Sequence, residues 1–514
     1  MCGIIGIIGS PLNNNIKDNL IQGLTYLQHR GQDSAGIALT SVDGKIHIHK
    51  NMGLVSQVFS TEPCPMNDEM QNPYSMGVGH VRYSTQGSIN VDEAQPLYSN
   101  SPYGIAMSHN GNLTNIGELE TYLIKKQRHI NTNSDSEILL NVFAAELAES
   151  PKDVFGTVKR VMQLLQGSYS VVMTIDGLGL VAFRDPRGIR PLCFGNSSSD
   201  DLDFTKPVHC SIKSSEEYGY MFVSESVALS GSPYQFTRDV LPGECIVIDE
   251  YRRFFSEIVA DNTVLTPCLF EYIYFARPDS IIDGISVYKA RERLGTFLAF
   301  NLCDFAGVSV KLNIDVVIPV PETSRTYAIK MAEVIDVPYR EAFVKNRYIA
   351  RTFISSNQNN QQNRTKMVKM KLNTIDSEFF NKNVLIVDDS IVRGTTSKEL
   401  VRLAKEAGAN KVWFASAAPP IRNVNRLGID ISTCEELIAF NRTEQEIATE
   451  LGCDKVFFNN LDEVCEGIRE LGNGSVDGFE MSCFLQSDAS TTFQASPTKP
   501  TVLRTSALAS NPTE

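Results

Sequence analysis

The chain has 514 residues, an apolar fraction of 42%, a charged fraction of 21% and a formal net charge of −13. That length holds about two or three domains, each able to bury its own core, and the balance is that of a globular enzyme in water. The acidity argues against general nucleic-acid binding. No run approaches the roughly 18 apolar residues of a membrane span, and no basic segment precedes the short apolar run at the start, so no signal peptide is expected.

The first predicted element is a strand over Cys2–Ile8. Removal of Met1 would leave Cys2 with a thiol and a free α-amine on one carbon. An α-amine with a pKa of about 8 is partly unprotonated near neutrality and can act as the base that a thiol needs. The chain's 11 cysteines are odd in number and contain no C-x-x-C pair. A reducing cytoplasm suits them better than a disulfide framework.

Helical periodicity is expected over 17–28, Asp135–Glu149 and Asp153–Leu165, with strands over Met76–His80, Tyr169–Ile175, Leu180–Phe183, Tyr220–Ser224 and Cys245–Ile248. The polar stretch Asn196–Tyr218 reads as a surface insertion in a hairpin. Such strands suit a sandwich of two sheets with outer helices. The second half alternates strand and helix. Strands are expected over Asp315–Val320, Asn383–Val387, Lys411–Ser416 and Val456–Phe458, and helices over Thr326–Val334, Ser397–Ala407 and Leu461–Leu471. This is the pattern of a mainly parallel sheet covered on both faces. From about Ser482 the Ser/Thr/Ala/Pro-rich tail reads as disordered, and the Asn/Gln run 357–363 as a loop expansion. The expected domains are 2–250 and 251–480, with a tail over 481–514.

Val384–Val387 delivers Asp388 and Asp389 to the carboxyl edge of a buried strand, and Ser390-Ile391-Val392-Arg393-Gly394-Thr395-Thr396 leads into a helix. Loop N–H groups and hydroxyls of this kind cradle a phosphate monoester. The carboxylates suit ribose hydroxyls and a hydrated Mg²⁺. From Arg340 to Lys371 eight cations face the single acid Glu341, a charge run that favours an anionic substrate.

Gln28–Gly36, His80–Thr85, His109-Asn110-Gly111-Asn112 and Asn133–Glu137, taken with Cys2, resemble the N-terminal-nucleophile glutamine amidotransferases, whose fold is an α+β sandwich (αββα). The resemblance assigns Arg82 to the glutamine α-carboxylate, Asp135 to its α-ammonium, and the oxyanion hole to the Asn110 side chain and the Gly111 N–H. The Asp388–Thr396 motif is similar to the signature of α/β type I phosphoribosyltransferases. It assigns Asp388 and Asp389 to the ribose diol and Ser390, Arg393, Gly394, Thr395 and Thr396 to the 5-phosphate. Pro319–Ser324 resembles their pyrophosphate loop, and Lys345–Ile354, with Lys345 and Arg351, the flexible loop that closes over it. Thr323, Asp388 and Asp389 are the expected surroundings of Mg²⁺.

Together, over about residues 2–480, the chain resembles the glutamine phosphoribosylpyrophosphate (PRPP) amidotransferase family, whose junction pattern Glu271–Ser280 also shows. The resemblance implies conversion of glutamine, PRPP and water to 5-phosphoribosylamine, glutamate and pyrophosphate, the committed step of purine synthesis, with ammonia passed inside the protein. It also implies homo-oligomers, usually tetramers, and feedback by purine nucleotides. Some members carry a [4Fe–4S] cluster. Here only Cys268 and Cys483 lie where its ligands occur, so no cluster is expected. Glucosamine-6-phosphate synthase and asparagine synthetase share the amidase half, but the Asp388–Thr396 motif supports neither. A catalytically silent sensor retaining both folds is the remaining alternative.

Overall fold

The computed structural model describes residues 2–10, 15–60, 74–83, 90–197, 218–306, 314–346, 372–429, 431 and 433–486. Strands β1 (Gly3–Ile8), β2 (Ser34–Ser41), β3 (Ile46–Met52), β4 (Tyr74–Arg82), β5 (Leu97–Ser99), β6 (Ile105–Leu113), β7 (Gly167–Ile175), β8 (Gly179–Arg184), β9 (Cys193–Asn196), β10 (Tyr220–Val223), β11 (Gln235–Asp239), β12 (Glu244–Ile248) and β13 (Phe254–Ile258) build two antiparallel sheets. Their orders are β11-β9-β10-β1-β4-β2-β3 and β13-β12-β8-β7-β6-β5.

Every residue of β1 is buried, because both of its faces are covered. Ile4 and Ile8 point to the second sheet, against Val172 and Leu180. Ile5 and Ile7 point to the helix Ile16–Tyr26, against Leu20 and Leu24. A strand covered on both faces reads as a continuous apolar run rather than an alternation. Helices Ile116–Lys125, Asp135–Glu149 and Val154–Leu164 cover the outer face of the second sheet through Leu119, Phe143 and Val158. The result is the four-layer αββα sandwich.

After the hairpin β14 (Ile281–Ile282) and β15 (Ile285–Ser286) come β16 (Val316–Pro319), β17 (Phe343–Lys345), β18 (Leu372–Thr374), β19 (Asn383–Asp388), β20 (Lys411–Ser416) and β21 (Lys455–Phe458). Strands β16-β19-β20-β21 form a parallel sheet. On one face Leu385, Val387 and Ala415 pack against Leu294, Leu298, Tyr327 and Met331. On the other, Ile386 and Phe414 pack against Leu400, Ala404 and Ile447.

Three features differ from the sequence reading. β13 pairs with β12, so the second sheet runs past residue 250 to Ile258. The helix Val287–Ala306 and the strands β2 and β6 are additional elements. Ser482–Phe484, expected at the start of a disordered tail, forms a short helical turn that buries Cys483 and Phe484. Strands β9 and β10 pair antiparallel around the polar stretch, as expected of a hairpin; residues 198–217 lie outside the described residues, as do Arg351 with most of its loop, the Asn/Gln run and residues 487–514. No helix among the described residues is long and apolar enough to cross a membrane.

The two halves meet over buried charge. Arg30, fully buried, binds Glu225 and, at 2.7 and 3.1 Å, both oxygens of Glu271; Arg190 also binds Glu271. Glu271 opens a single wide, π-helical turn, Glu271–Phe275. Breaking a buried pair by removing one charge costs about 3–5 kcal/mol, because the partner is left uncompensated. Glu271→Gln keeps the shape and leaves two guanidinium groups facing one carboxylate. It should lower the free energy of unfolding by about 3 kcal/mol, read as a lower urea midpoint by far-UV circular dichroism.

Candidate active sites

Cys2 stands half-buried at the start of β1, beside the end of β4, where Gly3 pairs with Val81. Its backbone nitrogen donates to Asn110 Oδ1 at 3.0 Å, and its Sγ lies 3.8 Å from the Tyr83 carbonyl oxygen. Arg30 Nε donates to the Cys2 carbonyl at 2.9 Å. Asn110 is buried on β6, and its Nδ2 has no hydrogen-bond partner among the described residues. Because Oδ1 is taken by an N–H, the amide must present Nδ2 elsewhere as a preorganised donor.

Arg82, the last residue of β4, is buried and donates to Glu93 Oε2 at 2.7 Å. Asp135 opens the helix Asp135–Glu149, and its Oδ2 accepts the Leu113 N–H at 3.1 Å, which ties that helix to the end of β6. His80 and His109 are buried, and burial pushes both imidazoles down, His80 to about 3. Burial thus disfavours the charged form of both imidazoles, and removal of Met1 would give the Cys2 thiol an α-amine on its own carbon. Glu93 and Gln95 belong to this site and were not singled out in the sequence. Gln95 accepts from the His109 N–H at 2.7 Å and donates to Ser136 Oγ at 2.9 Å. Nothing in local periodicity marks them, since their partners are distant in sequence.

In the second half, Asp388 ends β19 and Asp389 follows; they are 7% and 6% exposed. Asp389 accepts from the hydroxyls of Thr323 and Ser390, and its own N–H donates to Asp388 Oδ1 at 2.9 Å. Thus Thr323, Asp388, Asp389 and Ser390 come together. Gly394 has φ +75°, and a Cβ there would lie 2.4 Å from Ile438 Cδ1, so the loop requires glycine before the helix Thr395–Glu406. Arg393 instead binds Glu436 at 2.6 Å on the surface. Lys345 is exposed at the end of β17.

Burial, and for Asp388 also the neighbouring Asp389 charge, raises both carboxyl pKa values. Neither has an ion-pair partner among the described residues. A hydrated divalent cation fits this pair, since it would relieve their strained ionisation. No three His, Cys, Asp or Glu side chains converge for direct coordination among the described residues, so water or a phosphate-bearing ligand would complete its shell.

The two sites are joined by backbone contacts. Asn112 Nδ2 donates to the Arg426 carbonyl at 2.8 Å, and Ser168 Oγ to the Leu427 carbonyl at 2.9 Å. Gly428 follows, where a Cβ would lie 3.8 Å from the Gly111 carbonyl carbon. A segment of the second half therefore lies against the strand that carries Asn110 and Gly111.

A raised carboxyl pKa means that the folded state holds protons which the unfolded chain has lost above about pH 4. The pair therefore costs stability increasingly as pH rises through the folded values. Asp388→Asn with Asp389→Asn should be more stable than the parent at pH 7 by about 1 kcal/mol or more, without divalent cation. The gap should close toward pH 3–4, where about half or more of the carboxyls are protonated even when unfolded. Urea unfolding at both pH values measures it.

Residues 80–208 match the family model for a glutamine amidotransferase domain and 288–441 that for a phosphoribosyl transferase domain. The chain is 48% identical over 496 residues to the amidophosphoribosyltransferase of Pasteurella multocida, covering 94% of this chain and 92% of that one. It is 48% identical over 492 residues to that of Escherichia coli, with the same coverage. The Saccharomyces cerevisiae protein of that name is 46% identical over 477 residues, 91% of this chain and 88% of its own. Among solved structures, a glutamine PRPP amidotransferase from B. subtilis complexed with ADP and GMP superposes with a TM-score of 0.75 at 34% identity, covering 91% of this chain and 92% of that one.

Proposed function

The chain belongs to the amidophosphoribosyltransferase family, and from that premise we propose how its residues divide the reaction. The activity is glutamine-dependent amination of PRPP, the first step of purine synthesis. Residues 2–250, extended by β13, form the amidase unit, and the remainder to about 480 the phosphoribosyl unit.

With Met1 removed, the α-amine of Cys2 takes the thiol proton and Sγ attacks the glutamine carboxamide carbon. Arg82 holds the substrate carboxylate and Asp135 its ammonium. The charge that develops on the amide oxygen is met by Asn110 Nδ2 and the Gly111 N–H. The protonated amine returns its proton to the departing ammonia, and water then cleaves the thioester to glutamate. In the second half Asp388 and Asp389 hold the ribose hydroxyls, and Ser390, Gly394, Thr395 and Thr396 the 5-phosphate. Lys345 and Arg351 face the pyrophosphate, and Arg393 joins the phosphate only by leaving Glu436. Mg²⁺, held near Thr323, Asp388 and Asp389, supplies neutralisation of the departing pyrophosphate. No iron–sulfur cluster takes part. A homotetramer in a reducing cytoplasm completes the proposal, together with inhibition by purine nucleotides, for which the relative solved with ADP and GMP is the support.

The observation that carries this reading is the contact of segment 426–428 with Asn112, Ser168 and Gly111. It supports internal transfer, because ammonia released beside Asn110 starts at the border with the phosphoribosyl unit rather than in open water.

Cys2→Ala should lose glutamine-dependent synthesis by more than about 10³-fold while ammonia-dependent synthesis stays within about twofold. Asp388→Asn with Asp389→Asn should lose both routes. Initial rates of pyrophosphate release with glutamine or with ammonia measure this, and full glutamine use by Cys2→Ala would overturn the assignment.

A further inference from the structure

We propose that Gln95 is a positioning residue for the oxyanion hole, acting as a side-chain substitute for a missing strand residue; this rests on the reading above. Strand β5 pairs with β6 only over Leu97↔Met107, Tyr98↔Ala106 and Ser99↔Ile105. Continued by two residues, that register sets Gln95 opposite His109. The main chain is no longer there to pair. It has turned toward the other sheet, where a Cβ on Gly36 would meet the Gln95 carbonyl oxygen at 2.4 Å. The side chain completes the ladder instead, with Gln95 Oε1 accepting the His109 N–H at 2.7 Å.

This bond fixes the amide's orientation, because a backbone N–H can only donate. Nε2 must then face outward from β6, and it donates to Ser136 Oγ at 2.9 Å. The same hydroxyl lies 2.9 Å from His109 Nδ1. Gln95 is buried, so these bonds have no competing solvent.

Two neighbours gain from the arrangement. Asn110 is the next residue along β6. Gly111, two residues beyond His109, directs its N–H from the same edge of the strand by the alternation of the antiparallel ladder, at a place β5 does not reach. Beyond Met107 that edge is otherwise held only at the His109 carbonyl, 3.2 Å from His80 Nε2, and at the Leu113 N–H, 3.1 Å from Asp135 Oδ2, among the described residues, so Gln95 is the group that takes the His109 N–H. Ser136 in turn follows Asp135, so one amide side chain ties the oxyanion strand to the helix end that bears the ammonium-binding carboxylate. Displacing preorganised donors slows the step in which charge develops and leaves ground-state binding largely intact.

The test compares parent, Gln95→Leu and Gln95→Glu. Glutaminase kcat and KM are measured at saturating PRPP and Mg²⁺, together with ammonia-dependent synthesis and the affinity for glutamate γ-semialdehyde, whose adduct with the Cys2 thiol carries an oxyanion. Gln95→Leu should lower kcat about 10–100-fold, somewhat less than outright loss of a donor. It should weaken the semialdehyde by a similar factor, change KM less than about threefold and leave ammonia-dependent synthesis intact. A protonated glutamic acid can reproduce both bonds, whereas its anion keeps the second only by drawing the Ser136 hydroxyl proton away from His109 Nδ1 and adds a buried charge. The glutaminase rate of Gln95→Glu relative to the parent should therefore fall as pH rises. That pH profile decides the matter if Gln95→Leu does not fold. Unchanged kcat, an equal loss of the ammonia route, or a pH-independent ratio for Gln95→Glu would overturn the proposal. A parent enzyme unable to use glutamine would instead sink the functional reading beneath it.

Discussion

The backbone of Cys2, the proposed nucleophile, is held by a guanidinium with no access to water. Arg30 donates to the Cys2 carbonyl, and a bare buried cation there would be untenable. Burial alone would strip its proton or raise the acids around it. Instead Glu271 and Glu225 hold Arg30 charged, while Arg30 and His29 overcome burial to keep Glu225 below the usual carboxylate range. Glu225 is further satisfied by the Arg277 N–H at 2.9 Å and Ser280 Oγ at 2.7 Å. The placement of Cys2 thus depends on residues from the junction as much as on its own sheet.

The junction is in turn fastened to the parallel-sheet half. Arg291, buried in the helix Val287–Ala306, donates to the carbonyls of Tyr272, Tyr274 and Ala276, and the Tyr327 hydroxyl donates to that of Ile273. Tyr327 lies in the helix directly after the Pro319–Ser324 loop. Every carbonyl exposed by the wide turn Glu271–Phe275 that these groups reach is therefore paired, as buried backbone requires. Hydrogen bonds and short runs of chain, charge-assisted at Arg30 and Arg291 and neutral at Tyr327, link the amidase strand to the helix that follows the loop beside Asp389. They describe a stiff joint, in which the halves share buried ions, rather than a hinge with a wet interface.

What could be read from the chain follows the range of the physics. The helix Asp135–Glu149 and the strand Lys411–Ser416 have the expected bounds, because apolar periodicity and terminal residues are local signals. The helix Val287–Ala306 escaped because it packs on several sides and its apolar positions do not form one clean stripe. That Cys2 meets Asn110, and that Thr323 and Ser390 meet Asp389, could be expected because these residues stand in short contiguous motifs. Glu93 against Arg82 and Gln95 against His109 are pairings between separate strands and turns. The partners stand 11 and 14 residues away in sequence, and no helix or strand period links them. Arg393 was grouped with its loop neighbours by adjacency, yet its side chain turns to Glu436, since a long flexible cation answers to the nearest surface carboxylate.

The bridge between the two active sites has an unusual chemical economy. Asn112 and Ser168 each grip a main-chain carbonyl, of Arg426 and Leu427, rather than a side chain. A carbonyl is the same group in all residues, so the grip reads the path of the segment and is blind to the letters along it. Arg426 and Leu427 can therefore drift through evolution, retuning whatever their side chains line, without undocking the halves. Gly428, at φ +108°, sets the limit of that freedom, for there the path itself demands a particular residue.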